Sequence, residues 1–150
     1  NSFTNVGIPT HTESLKESLH YFTKKLNFDV VNPSSDGDLQ SIKSKLSSYD
    51  GLIWGGSSLN IYNDTPEIRN QIEFMKECQK NVKQILAICW GMQVAVTAAG
   101  GEVKKAYGSH IGIANKITIN DRGLRHALYK GKDKIFNSAT ENTTSITAEQ

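Results

Sequence analysis

Apolar residues recur along this chain at two spacings, and the switches between them mark out alternating helices and strands. Leu15, Leu19, Phe22 and Leu26 follow at helical intervals behind Thr10 and Glu13, a pair spaced as in a capping box. This predicts a first helix with one apolar stripe. Residues 28–31 read as a short strand, Asp36-Gly37-Asp38 as a turn and cap, and Leu39, Ile42 and Leu46 as the inner face of a second short helix. Gly51-Leu52-Ile53-Trp54 is apolar on successive positions, the pattern of a strand covered on both faces. Thr65-Pro66-Glu67 combines a hydroxyl cap, a proline at the first helical position and an acid at the positive end of the helix dipole. Ile68, Ile72, Met75 and then Cys78 or Gln79 continue that helix's inner face. Gln84-Ile85-Leu86-Ala87-Ile88 is a second strand of buried type. It runs straight into Cys89-Trp90-Gly91-Met92-Gln93 and a helix closed by Gly100-Gly101.

Beyond that point period two takes over. Residues 103–106 and the alternating Ile111, Ile113, Ile117 and Ile119 read as a peripheral β segment that turns at Asn120-Asp121-Arg122-Gly123. Near-continuous apolar strands separated by helices predict an α/β fold, a parallel sheet with helices on both faces. Sites in such open sheets form at the carboxyl ends of strands. Two segments end there in glycine or cysteine: Trp54-Gly55-Gly56-Ser57 and Ile88-Cys89-Trp90-Gly91.

Composition changes this picture only by exclusion. A chain of 150 residues has room for one core, so a single domain over 1–150 is expected. Its apolar runs, such as 85–90, fall far short of the roughly 18 to 20 residues that span a bilayer, so no membrane partner is expected. The polar start, Asn1-Ser2-Phe3-Thr4-Asn5, has neither a basic nor an apolar leader region, so no export signal is expected. Two cysteines are too few for a disulfide scaffold and read as thiols in a reducing compartment, the cytoplasm by default. The net charge of +2 is spread over Lys24-Lys25, Lys104-Lys105 and 130–134 without interleaved aromatics, too weak a signal for a nucleic-acid surface. No metal cluster, phosphate loop or dinucleotide fingerprint is present, so neither a metal nor a cofactor is expected. The chain opens on Asn rather than Met and closes on Ile146-Thr147-Ala148-Glu149-Gln150 without a finishing element, which suggests a piece of something longer.

Cys89 carries the candidate chemistry. A nucleophile between a buried strand and a helix sits on a tight turn, with its side chain projecting from the sheet and nearby backbone N–H groups pointing the same way. The helix N-terminus favours thiolate over thiol. Position alone admits equally a small buried hydrophobe, since unpaired cysteine is among the most buried residue types. Cys78, on the apolar stripe behind Pro66, reads as core.

Taken together, Cys89-Trp90-Gly91-Met92-Gln93 and Gly100-Gly101-Glu102-Val103 resemble the nucleophile motif of class I glutamine amidotransferases, Cys-x-Gly-x-Gln followed by Gly-Gly-x-Val. Upstream, Tyr49-Asp50-Gly51-Leu52-Ile53-Trp54-Gly55-Gly56-Ser57 is similar to the family's strand and oxyanion loop. Ser58-Leu59-Asn60-Ile61-Tyr62-Asn63-Asp64 resembles its GMP synthase-like subgroup. Ile111-Gly112 and Arg125-His126-Ala127-Leu128 fall where the family has a glycine-containing strand and a His-Pro-Leu-like segment. The resemblance covers 27–150. It implies a three-layer sandwich with a mostly parallel, flavodoxin-like sheet, and it implies glutamine hydrolysis. Cys89 would attack the side-chain amide, release ammonia to an acceptor synthetase on the same or another chain, and leave a glutamyl thioester for water to cleave. By resemblance the oxyanion hole is the N–H groups of Gly56 and Trp90, while Gly55, Ser57 and Gln93 position the substrate.

The chain departs from the family in two places. The catalytic His and Glu come from a late Gln-x-His-Pro-Glu type motif, and no such motif follows Cys89, so the triad is incomplete within these residues. A family segment His-x-Asp-x-Val has Asn142, Thr144 and Ile146 at its matching positions, which touches substrate handling rather than the nucleophile. His11, His20, His110 and His126 read as surface residues of a loop, a helix, a turn and a helix flank. Two alternatives stay open. One is a non-catalytic relative that binds a ligand or partner on the same fold; the other is a related cysteine-elbow hydrolase or peptidase, against which Gln93 argues. The ammonia acceptor and the oligomeric state are not legible.

Overall fold

The computed structural model describes residues 10–34 and 36–147, with the backbone alone at Asp36, 106–110 and 141–147. Two compact units divide the chain, one reaching Val103 and the other Lys104–Ser145.

The first unit opens with helix α1, His11–Phe22. Its capping box is complete: the Thr10 hydroxyl accepts the Glu13 N–H at 3.3 Å and Glu13 Oε2 accepts the Thr10 N–H at 2.6 Å. The helix stops at Phe22, four residues before the Leu26 that the stripe had included, because Thr23 turns to extended backbone (φ −156°). The strand expected over 28–31 does not form, since a strand needs a ladder partner and this segment has none among the described residues. Phe28 sets its ring edge-on to His20 instead, at 5.2 Å, and Asp29 accepts the Tyr49 hydroxyl. Helix α2, Asp36–Lys43, begins within the triplet read as its preceding turn. Leu39, Ile42 and Leu46 are buried as expected, the last in a 3-10 turn, Leu46–Ser48.

Strand β1, Leu52–Trp54, and strand β2, Ile85–Ala87, pair in parallel with Leu52 opposite Ile85 and Trp54 opposite Ala87. Between them runs helix α3, Pro66–Asn81, capped by the Thr65 hydroxyl, which accepts the Ile68 N–H. Ile68, Gln71, Phe74, Met75 and Cys78 are its buried face. Helix α4, Trp90–Ala98, follows β2 closely, with the elbow between them; Gly100, at φ +88°, closes it. Trp54, Ile68, Phe74, Met75, Cys78, Trp90 and Val94 share one core. This is the α/β arrangement expected, β1–α3–β2–α4, in a sheet of two described strands. Leu86 is 38% exposed, so the unbroken apolar run of β2 does not translate here into burial on both faces.

The second unit holds most of strands β3, Glu102–Thr118, and β4, Ile135–Thr147, which pair with each other, while helix α5, Asp121–Arg125, and a 3-10 turn, Ala127–Tyr129, fill the connection. The turn expected at 120–123 is a capped helix start: Asn120 Oδ1 accepts the Gly123 N–H at 2.8 Å. His110 lies in β3 rather than in a turn, and its side chain is outside the described residues. The side chains of Asn142, Thr144 and Ile146 also lie outside them. No described helix is long and apolar enough to cross a membrane.

Candidate active site

The elbow forms because two strands end together and the chain turns at once into a helix. Trp54 O accepts the Ile88 N–H at 2.9 Å, extending the ladder one residue past β2. Cys89 then adopts φ 54° and ψ −109° as the residue before α4. Backbone of that kind costs a non-glycine residue about 1 to 3 kcal/mol and persists only where its surroundings hold it. Here they do. Gly91 N–H reaches Gly55 O at 3.1 Å, and Cys89 O accepts the N–H groups of Met92 and Gln93 at 3.1 and 3.2 Å. Cys89 is exposed, whereas Cys78 is buried in the core. Burial pushes the Cys78 thiol up to about 12, so it stays protonated and unreactive.

Two glycines shape the space around the elbow. A Cβ on Gly91 would lie 2.4 Å from Trp54 O, so only glycine lets α4 start this close to β1. A Cβ on Gly56 would lie 3.7 Å from Cys89 Cβ and 3.8 Å from its Sγ, which places the loop after β1 directly beside the thiol. Gly55 lies in the same loop with open space around it, its carbonyl bonded to Gly91.

The other candidates separate by direction. The Trp90 side chain points into the core, where its Nε1–H donates to Gln71 Oε1 at 2.9 Å. Ser57 turns its hydroxyl to the Leu59 N–H at 3.2 Å and so shapes its own loop. Gln93, one turn into α4 from Cys89, has its Oε1 buried with no hydrogen-bond partner among the described residues. Gln71 was not a candidate from sequence. Its one signal is a polar residue at i+3 from Ile68 and i−4 from Met75, on a stripe otherwise apolar.

Two of the described histidines are engaged elsewhere. His20 Nε2 lies 3.4 Å from Leu26 O, and the His126 ring accepts the Leu128 N–H at 3.2 Å. One His-x-Glu spacing occurs, His11-Thr12-Glu13, but it starts α1, and the Thr10 N–H holds the Glu13 carboxyl below the usual carboxylate range. No three described His, Cys, Asp or Glu residues converge as a metal site would require.

A parallel strand pair, an exposed cysteine on a strained turn and a glycine loop against its sulfur define a strand–elbow–helix protein of the α/β class. The model of the family "Glutamine amidotransferase class-I" matches residues 10–148, and the chain belongs to that family. It is 33% identical over 140 residues to the gamma-glutamyl-L-1-hydroxyisopropylamide hydrolase of a Pseudomonas species, covering 91% of this chain and 47% of that protein. It is 31% identical over 99 residues to gamma-glutamyl peptidase 4 of Arabidopsis thaliana, covering 65% of this chain and 39% of that protein. Over 121 residues it is 24% identical to one component of the glutamine-hydrolyzing GMP synthase of Sulfurisphaera tokodaii, covering 81% of this chain and 57% of that protein. The chain thus spans about half the length of these relatives.

Proposed function

We propose that Cys89 is the nucleophile of a γ-glutamyl amide cleavage, with glutamine as substrate and residues 1–150 belonging to one amidotransferase-type domain. The observation that carries this reading is Cys89 itself, exposed at φ +54° with Gly56 against its sulfur. A cysteine kept only for packing needs neither the strain nor the exposure. Its Sγ attacks the γ-amide carbonyl, and the oxygen becomes an oxyanion facing the N–H groups of Gly56 and Trp90. Loss of one such donor costs about 100-fold to 1000-fold in rate. The C–N bond then breaks, the nitrogen leaves protonated as ammonia, and water cleaves the γ-glutamyl thioester to glutamate and the free thiol. Gly55, Ser57 and Gln93 hold the substrate. The ammonia goes to an acceptor synthetase. In this reading the β1–α3–β2–α4 unit is part of a mostly parallel, flavodoxin-like three-layer sandwich.

A second reading is favoured by the two relatives above 30% identity, which are named for hydrolysis of substituted γ-glutamyl amides and peptides. Glutamine is the simplest γ-glutamyl amide, so the same attack with a larger amine leaving group describes a γ-glutamyl hydrolase.

The full-length protein tests both. Incubation with glutamine and with a γ-glutamyl alkylamide reads ammonia against amine release, while mass spectrometry locates the adduct of a glutamine-analogue electrophile. Label on Cys89 with ammonia release supports the amidotransferase; label with amine release from the alkylamide alone supports the hydrolase. Glutamine binding with neither product nor label would establish a non-catalytic relative and overturn the proposal.

A further inference from the structure

We infer that Gln71 is a positioning residue for the elbow, fixing from α3 the residue that follows the nucleophile; this rests on the function proposed above. Gln71 and Trp90 are each 1% exposed, and Gln71 is the one buried polar side chain among the described residues. Its Oε1 accepts the Trp90 indole N–H at 2.9 Å, while its own Nε2 is buried with no partner among the described residues. For packing alone this pair is a poor choice. A methionine at 71 facing a phenylalanine at 90 would fill similar space and leave no buried amide unsatisfied. What the pair supplies is direction. The indole is tied at its far end to α3, its near end is the backbone adjoining Cys89, and Gly91 beyond it is pressed against Trp54 O. The rotation of the first turn of α4, and with it the Trp90 backbone N–H, is thereby set by a bond made nineteen residues earlier in the chain.

The test uses the full-length protein with Gln71→Met, Trp90→Phe and the double variant. In Gln71→Met, thioester formation from a γ-glutamyl amide slows by about 100-fold, the scale of a misplaced reacting group, while KM stays within about twofold. Alkylation of Cys89 by iodoacetamide builds no oxyanion and keeps its wild-type rate. The double variant, freed of the orphaned indole N–H, unfolds no earlier than wild type and remains slow. A merely structural Gln71 would show the opposite, with turnover returning alongside stability. Wild-type kcat in the double variant, or alkylation falling in step with turnover, overturns the inference. If the wild type cleaves no γ-glutamyl amide, the proposed function fails instead. The inference is then decided by the NMR signal of the Trp90 backbone N–H: a shift in Gln71→Met sustains it and an unmoved signal overturns it.

Discussion

Gly91 sits so close to Trp54 that a Cβ added to it would lie 2.4 Å from the Trp54 carbonyl oxygen and 2.9 Å from the Trp54 Cβ. Both obstacles belong to a strand already fixed in the sheet. Gly91→Ala must therefore push α4 away from β1, at about 1 to 3 kcal/mol, the usual cost of forced overpacking. Urea unfolding would show it as a lower midpoint at unchanged slope. A wild-type midpoint would mean that the elbow is looser than this contact implies.

Gly56→Ala makes the opposite case with the same substitution. Its Cβ would meet Cys89 Cβ at 3.7 Å and Sγ at 3.8 Å, ordinary contact distances, so stability stays within about 0.5 kcal/mol. The methyl group nevertheless stands beside the sulfur, where the oxyanion is to form. We expect kcat to fall about 100-fold, as for the loss of an oxyanion donor. Thermal unfolding and turnover, measured on the same preparation, separate the two effects.

Cys89→Gly should stabilise the fold while abolishing turnover. Removing a Cβ from φ +54° relieves about 1 to 3 kcal/mol of backbone strain against a smaller entropic loss, for a net gain of about 1 kcal/mol. Cys89→Ala keeps the strain, so it loses activity without that gain. Equal midpoints for the two variants would remove the strain from the account.

Cys78 gives stability an alkaline limit. Its folded thiol is raised to about 12 by burial, while the unfolded thiol titrates near its ordinary value of 9.0. Between those pH values the unfolded chain binds fewer protons than the folded one. The contribution is thus complete below pH 9 and is lost as pH rises toward 12, by at most about 1.4 kcal/mol per pH unit. Unfolding midpoints from pH 8 to 11 should fall in the wild type and fall less steeply in Cys78→Ala. An identical slope in the variant would assign the effect to other groups.

How much was legible follows the reach of each interaction. The Thr10–Glu13 box and the Thr65-Pro66 start were readable because a cap is made within three residues. The β2–Cys89–α4 succession was readable as an apolar run meeting a helical period, and the family motif singled out its cysteine. The strand expected at 28–31 failed because strands exist only with partners, which periodicity does not supply. Gln71 escaped notice because a lone glutamine on a helical stripe looks like a break in the pattern until Trp90 is seen to bond it.

By itself the sequence determined the caps and the β1–α3–β2–α4 order, since these depend on neighbours within one or two turns, and through the family motif it marked Cys89 as the candidate nucleophile. Tertiary structure alone decided that Gly91 must be glycine because of Trp54 and that Gln71 holds Trp90, and it supplied the contact distance at which Gly56, expected at the site by resemblance, borders the Cys89 sulfur. Each of those facts joins residues 19 to 37 positions apart, as the intervals Gln71 to Trp90, Gly56 to Cys89 and Trp54 to Gly91 show. No local propensity reaches that far. Only the packing of α3 and α4 against the paired strands brings such residues within a few ångströms.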